Sequence, residues 1–184
     1  LISGFSEPYS EILNDDNVVD HNFDRKLHKD YIPNCVLSPN QVEPFPSMFK
    51  QFNIKDLGRS VEEFDLREFW DYCYEINENK VEETGSTLPI FTSKIDYLRV
   101  GGWDINFPCS GIVADWDFFV KCQLSKLQMI RTYNTHCYHF VSLSVPTKEQ
   151  KEIRNKQEIE GHEYDKVKYG SYIKHNPETN LKTI

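Results

Sequence analysis

The chain has 184 residues, of which 39% are hydrophobic and 14% aromatic, so it can build a core and is not wholly disordered. Its 21 basic and 29 acidic residues give a formal net charge of −8, which excludes a generally basic nucleic-acid binder. No run of about 18 apolar residues is present, so we predict no transmembrane segment. The 5 cysteines include no CxxC pair, which favours reduced thiols and a cytoplasmic protein.

The first half of the chain predicts short strands and one short helix. Residues 9–13 alternate weakly and predict a strand, which ends at the Asn/Asp turn of residues 14–17. A short helix is expected around residues 22–29. A second strand is predicted over residues 35–38 and is expected to end at Pro39, because proline cannot donate to a sheet ladder.

The middle of the chain predicts helices separated by one strand. Residues 61–76 repeat apolar side chains at helical spacing, and residues 88–91 form a short apolar run. A turn of helix is expected from Ser93, with the glycines at 101–102 ending it. The clearest helix begins at Asp115, which we interpret as its N-cap; its expected apolar stripe is Trp116, Phe119, Val120, Leu124 and Leu127.

The last third predicts two strands and a tail. Residues 128–132 and 137–141 read as strands on either side of a polar turn at Asn134. Strands that alternate with helices predict an α/β fold. We expect a core over residues 1–146 and a C-terminal helical tail over 147–184, packed on the surface and frayed at its end.

The first candidate site is the acidic cluster of Asn14, Asp15, Asp16 and Asn17. It follows a strand, and open α/β sheets bind ligands beyond the carboxyl ends of their strands. Hard cations such as Mg²⁺ or Mn²⁺ take carboxylate oxygens together with substrate phosphates. Asn and Asp are also common in plain turns, so the cluster alone leaves both interpretations open.

The second candidate site combines a glycine turn with the start of a helix. Gly101 and Gly102 allow a backbone to approach a ligand closely, and Trp103 and Asp104 follow them. The carboxylate of Asp115 could act as a general base if it faces a substrate. The alternative is that Asp115 caps the helix and Asp117 complements its dipole.

Two further groups are weaker candidates. His136 and His139 are three residues apart, so on a strand they face opposite sides and do not form a two-histidine metal site. One of them could still join carboxylates around a metal, or be a structural histidine. Glu43 could bond a sugar hydroxyl, or be a loop acid before Pro44.

Taken in order, several segments resemble the family 2 glycosyltransferases, which have the GT-A fold. They are EILNDDNVVDHNFDRKL, SPNQVEP, YLRVGGWD, IVADWDFFVKCQLSKLQMIRTY and CYHFVSLS, and the late KVKYG resembles a Lys-aromatic-Gly signature of some viral and phage-like members. The resemblance covers residues 9 to 170. It implies a GT-A-like, Rossmann-like mixed sheet flanked by helices, and transfer of a sugar from a nucleotide-sugar donor, UDP-linked, to a hydroxyl acceptor on a glycan, protein or lipid.

The resemblance also implies roles for individual residues. Asp16 matches the metal-binding acid of the DxD-type motif, and His139 a late histidine of the metal or diphosphate site, with His136 as the competing choice. Asp115 matches the general base of the "ED" motif, although Ala114 stands where the family has Glu. The donor would be held by Asn14, Asp15, Gly101, Gly102 and Trp103, with Glu43 as a further donor contact, and the acceptor by Asp104, Trp116 and Asp117.

The resemblance departs from the family at the amino end. The family places a nucleotide-binding unit of strands and a helix before the DxD motif, and here about thirteen residues precede it. The expectation is therefore an N-terminally truncated domain, with an exposed sheet edge that favours self-association. Two other classes remain open: an inactive fragment or carbohydrate- or protein-binding module, and a glycoside hydrolase, which would use two carboxylates and no cation.

Overall fold

A computed structural model describes residues 8–46, 50–108, 112–140, 148–179 and 181–184, and shows a mixed sheet flanked by helices. Its strands are β1 (Tyr9–Ile12), β2 (Asn17–Val19), β3 (Cys35–Glu43), β4 (Asn53–Ile54), β5 (Val81–Glu83), β6 (Ile90–Ser93), β7 (Gln128–His139), β8 (Lys174–His175) and β9 (Lys182–Thr183). Its helices are α1 (Phe23–Asp30), α2 (Leu66–Glu75), α3 (Lys94–Arg99), α4 (Ile112–Leu124) and α5 (Lys148–Tyr169). The predicted α/β class is confirmed.

The main sheet has seven strands, with the order β1-β6-β3-β7-β2 along its path. The central pair, β3 and β7, is parallel, whereas β1, β6 and β2 run antiparallel to their neighbours. β4 adds to β3, and β5 pairs with the first half of β7. The long central strands are almost wholly buried, as expected for parallel strands that helices cover on both faces.

Helices cover both faces of the sheet, and alternate residues of β3 show it. Val36 packs beneath α4 with Phe118 and Met129, in the first apolar cluster. Leu37, the next residue along the strand, packs on α1 beside Leu27 in the second cluster. Successive side chains of a strand point to opposite faces, so α4 and α1 lie on opposite sides of the sheet.

The central pair contains one irregularity, at Pro39. The register passes from Pro39↔Thr132 to Asn40↔His136, so residues 133–135 of β7 have no partner in β3. The predicted end of the strand at Pro39 is therefore wrong, and so are the predicted turn at Asn134 and the loop position of Glu43. Proline lacks the N–H that a regular ladder needs, and a bulge is where a sheet tolerates it.

Several predicted helix boundaries shift. α2 begins at Leu66 because Asp65 accepts the amide N–H groups of Arg67 and Glu68, and the prediction from residue 61 is too long. α4 begins at Ile112, three residues before Asp115, so the N-cap prediction for Asp115 is wrong. The predicted stripe is also wrong at Leu124, which is 58% exposed. Helical spacing identified the helix but not its buried face.

Other predictions for the helices are confirmed. α1 falls where a helix was expected, and Ser93 caps α3 by accepting the amide N–H of Asp96. Gly101 and Gly102 follow that helix with positive φ angles of 80° and 59°. A Cβ at Gly102 would lie 2.9 Å from the ring of Tyr97, so this turn requires glycine.

The C-terminal segment folds back onto the core. α5 packs on α4, β8 and β9 form a two-stranded hairpin, and Ile173 and Lys182 are buried. The expected helix is present, but the prediction of a frayed end is wrong at these residues. Among the described helices, none is both long and apolar enough to cross a membrane. The four described cysteines are buried and unpaired, and Cys109 lies outside the described residues.

Truncation of a core side chain on α1 tests this packing. Leu27 is 0% exposed, and we expect Leu27→Ala to lower the free energy of unfolding by about 2–5 kcal/mol, through lost burial and a residual cavity. Leu98→Ala is the matched control, because Leu98 is 64% exposed and its loss should cost less than about 0.5 kcal/mol. Urea denaturation measures both, and equal losses would contradict the two-sided core.

Candidate functional site

The acidic turn after β1 meets the carboxyl ends of β3 and β7 at His139. His139 Nε2 lies 3.3 Å from Asp16 Oδ2, and His139 Nδ1 lies 3.0 Å from Glu43 Oε1. The pairing of β2 with β7 places Asp16 beside His139. Asn17 lies opposite His139, and the amide of Phe140 donates to the carbonyl of Asp16. The structure thus brings together Asp16 and His139, the two residues predicted to bind a metal.

The carboxylates around His139 control its charge. Burial alone would lower the pKa of His139, but hydrogen bonds and charge attraction from Asp16 and Glu43 outweigh burial and raise it to about 9. The same hydrogen bond to His139 lowers the pKa of Asp16 below its ordinary value. In this state a doubly protonated imidazole donates to both carboxylates, which only accept.

Several polar atoms around His139 have no hydrogen-bond partner. They are Asp16 Oδ1, Glu43 Oε2 and both amide atoms of Asn17, all of them buried. Buried polar atoms are normally paired, so an unpaired group marks a place for a ligand, ion or water. These oxygens, with Nε2 of His139, are donors that suit a divalent cation.

The side chain of Glu43 lies buried behind His139, and its predicted contact with the donor stays a prediction. Its side chain is 2% exposed and contacts His139, so its position does not favour contact with a sugar hydroxyl. A carboxylate that accepts the second ring N–H of a metal-binding histidine fixes the tautomer and the ring orientation. Glu43 therefore has the geometry of a positioning residue behind His139, with Nε2 turned toward Asp16.

The remaining residues of the acidic turn lie nearer to solvent. Asp15 is exposed at the tip of the turn, and Asn14 is half-buried. The carbonyl of Asn14 accepts the amide N–H of Asn17 at 3.4 Å, which closes the turn. The turn predicted at residues 14–17 is confirmed, and β2 begins within it, at Asn17.

The glycine turn is held against α4 by Trp103. The Trp103 ring stacks on Phe118 with a centroid separation of 4.1 Å and an interplanar angle of 10°. Its side chain also hydrogen-bonds Asp115, and Lys121 donates to the carbonyl of Gly102. The glycine turn and α4, which the sequence analysis combined in one candidate site, are therefore in direct contact.

Asp115 has the proton affinity of a base that works near neutral pH. Burial of its carboxyl group raises the pKa to about 7, while the hydrogen bond from Trp103 and the charge of Lys182 oppose the rise. A general base is most effective when its pKa lies near the working pH.

Asp104 and Asp117 share one lysine from α5. Lys168 Nζ lies 2.6 Å from Asp104 Oδ2 and 2.7 Å from Asp117 Oδ1. Asp117 is almost fully buried, and the hydroxyl of Tyr169 donates to it at 2.6 Å, with Lys121 3.4 Å away on the other oxygen. Hydrogen bonding to Lys168 lowers the pKa of Asp104 to about 2, so Asp104 is ionised beside the lysine.

The spacing of residues in the sequence does not predict which side chains of α5 contact Asp104 and Asp117. Lys168 and Tyr169 belong to the KVKYG segment, whose likeness to a family signature was the only signal for them. Asp165 is buried without a partner for either oxygen, and burial, reinforced by the nearby Asp117, raises its pKa to about 7. No periodicity in the sequence distinguishes Asp165 from the exposed acids of the same helix.

Trp116 points toward the C-terminal segment. Its ring lies 5.4 Å from the ring of His175, nearly parallel to it, and 6.1 Å from that of His162. These contacts attach β8 and α5 to α4. They give Trp116 a packing role that the prediction of an acceptor contact did not include.

The two groups of site residues lie on the same side of the sheet. Val42 and Tyr138 pack beneath α2, so Glu43 and His139, which alternate with them, face the opposite side. Gln41 faces that side too, because its amide donates to the carbonyl of Leu88, a residue of the cluster under α4. The last turn of α4 is followed closely by the start of β7, so the helix and the strand run in opposite directions. The first turn of α4 therefore lies toward the carboxyl end of β7, where His139 is.

A surface groove lies elsewhere. It is lined by Glu83, Thr84, Gln123, Leu127, Met129 and Leu181, near the last turn of α4. None of the predicted site residues lines it. The candidate site is therefore recognised by the chemistry of its residues.

Comparison with known proteins identifies no relative. No protein-family profile, curated protein or solved structure matches this chain significantly. The interpretation of the site therefore depends on its residues and their geometry.

Removal of the shared lysine tests the acid cluster. We expect Lys168→Met to lower the free energy of unfolding by roughly 1–3 kcal/mol, because it leaves the buried carboxylate of Asp117 without its strongest partner. Lys166→Met, two residues away on the exposed surface of α5, should change stability by less than about 0.5 kcal/mol. Thermal and urea denaturation measure both, and a similar loss in the two variants would contradict the bridging role.

Proposed function

We propose that this protein is a metal-dependent glycosyltransferase, which moves a sugar from a UDP-linked donor to a hydroxyl of a glycan, protein or lipid-linked acceptor in the cytoplasm. The observation that carries the proposal is the meeting of Asp16 and His139, with Glu43 behind the histidine and unpartnered oxygens around them. A GT-A-like arrangement of the mixed sheet is part of the proposal.

The proposed metal is Mn²⁺ or Mg²⁺, held by Asp16 and by Nε2 of His139, with Glu43 fixing the imidazole from its far side. Such an ion would serve as a Lewis acid for the diphosphate, on which negative charge develops when the donor's glycosidic bond breaks. Nε2 must lose its proton to bind a metal, so metal and proton compete for His139. Asn14 and Asp15, at the turn nearer to solvent, are proposed to contact the donor's ribose and sugar.

Asp115 is the proposed general base of an inverting transfer. An acceptor hydroxyl would attack the sugar carbon on the face opposite the leaving diphosphate, and its proton would pass to the Asp115 carboxylate. Trp103 holds that carboxylate by a hydrogen bond and is itself fixed by the stack on Phe118. This orientation supports a base that is positioned before the substrate binds.

The glycine turn and the acid cluster are proposed to border the donor and acceptor. Gly101 and Gly102 leave the backbone open beside Trp103, which suits close approach of a sugar. Asp104 and Asp117, held by Lys168, are proposed to shape the acceptor side, with Trp116 on the C-terminal flank. Carboxylates are common acceptors for sugar hydroxyl groups.

Metal and donor binding can be tested by thermal unfolding. We expect Mn²⁺ together with UDP-sugars to raise the melting temperature, by roughly 5–10 °C when ligand is about a hundredfold above its Kd. Asp16→Asn should abolish the response, whereas Asp24→Asn, on the exposed surface of α1, should retain it. No shift with any nucleotide-sugar, with or without Mn²⁺, would favour a fragment or binding module.

Catalysis by Asp115 can be tested by substitution and pH. We expect Asp115→Asn to lower kcat by about 10²–10⁴-fold, because the amide cannot accept the hydroxyl proton. In the unmodified protein the rate should fall roughly tenfold per pH unit below about 7, since protonation of Asp115 removes the base, and level off above that value. Initial rates of sugar transfer measure both effects.

The control for this experiment is Asp71→Asn, on the exposed surface of α2, which should keep the unmodified rate and pH profile. Full transferase activity in Asp115→Asn would remove Asp115 from the mechanism. Sugar release to water that persists in a chelator would instead favour a glycoside hydrolase, which uses two carboxylates and no cation.

A further inference from the structure

A second group of metal-binding side chains lies on the other face of the sheet. Asp20 follows β2, Cys73 belongs to α2 and His136 belongs to β7. Each offers one ligand atom, and the three atoms lie within 4.8 Å of one another. All three residues are buried, with exposed fractions of 5%, 0% and 0%.

The backbone fixes two of these side chains beside each other. The amide of Asp20 donates to the carbonyl of His136 at 3.0 Å, directly after the strand pairing of Val19 with Cys137. His136 shares its face of β7 with Tyr138, which packs beneath α2. The prediction that His136 and His139 face opposite sides is therefore confirmed, and the two histidines belong to different groups.

An unsatisfied histidine indicates that the group binds something. Both ring nitrogens of His136 are buried without a hydrogen-bond partner. A fully buried imidazole with two unpaired nitrogens is costly unless a ligand or ion completes it. Burial lowers the pKa of His136 to about 4, so the ring is neutral at pH 7, as metal binding requires.

We propose that Asp20, Cys73 and His136 form a zinc site that fastens α2 to the central sheet. A carboxylate oxygen, a thiolate sulfur and an imidazole nitrogen are ligands that Zn²⁺ takes in tetrahedral sites, and water can complete the fourth position. On binding, the Cys73 thiol releases its proton and the thiolate forms the bond to zinc. The ion's two positive charges balance the thiolate and the Asp20 carboxylate in a buried place.

The other contacts of Asp20 leave it free to coordinate. Its Oδ1 accepts the amide N–H of His21, while Oδ2 contacts Lys26 and accepts the hydroxyl of Thr135 at 3.3 Å. Each carboxylate oxygen has two lone-pair sites, so one contact does not occupy it. Lys26 lies partly exposed and can turn toward water when a cation arrives.

Cobalt substitution tests the site without assuming any activity. We expect chelator-treated protein to bind one added Co²⁺ ion. The complex should show a thiolate charge-transfer band in the near ultraviolet and the visible bands of a tetrahedral ion. Cys73→Ala should lose the near-ultraviolet band. Cys122→Ala is the matched control, because Cys122 is equally buried under α4 on the other face and should leave the band unchanged.

Two further measurements make the outcome decisive. If Cys73→Ala fails to fold, Asp20→Asn should still weaken Co²⁺ binding at least tenfold while leaving the thiolate band visible at saturation. Asp16→Asn, at the separate proposed Mn²⁺ site, should leave Co²⁺–thiolate binding unchanged. Absence of a thiolate band in the unmodified protein, or its equal loss in Cys122→Ala, would overturn the proposal.

Discussion

The irregular pairing of β3 with β7 at Pro39 brings Glu43 to the face of the sheet on which His139 lies. On one side of it, Val36 packs beneath α4; beyond it, Val42 packs beneath α2, so the alternation of the strand changes phase. The buried guanidinium of Arg131 donates to the carbonyl of Pro39 at 3.0 Å and to that of Gly85, which fixes the distorted segment. The change of phase turns Glu43 toward the face on which His139 lies. In β7 the alternation is kept, because Met129 packs beneath α4 and Ile130 on α1, so His139 and His136 face opposite sides.

The group around Lys168 and the group around His139 both contain buried charged side chains, and each charged side chain contacts one of opposite charge. Lys168 bridges Asp104 and Asp117, and His139 lies between Asp16 and Glu43. Removal of one member of such a group leaves a buried charge alone, which costs far more than the group contributes when intact. These networks therefore make the positions of the acids specific without making the fold exceptionally stable.

Sequence patterns predicted most helices and strands but not how the strands pair with one another. Alternation located β1, and the helix predicted from Ser93 is α3, which Ser93 caps, since those signals are local. The passage of β3 through Pro39 could not be predicted, because a bulge depends on the partner strand and on Arg131, which is distant in sequence. A local rule for proline gave the wrong end of the strand for that reason.

The candidate site was predicted in part. The motif resemblance pairs Asp16 with His139, and the two side chains are in contact, while their metal role stays a prediction. The role of Glu43 behind His139 and the bridge by Lys168 are tertiary arrangements, which residue spacing does not encode. The Asp20, Cys73 and His136 group was missed because its members have no regular spacing and meet only when α2 packs on β7.

α5 and β9 are among the last elements to be synthesised, and they supply side chains that contact the acids of earlier elements. Lys168, Tyr169 and Lys182 leave the ribosome after every acid that they neutralise or influence. Until then, Asp104 and Asp117 lack the lysine that bridges them. The second group of site residues is therefore completed only after the strands of the main sheet have been synthesised.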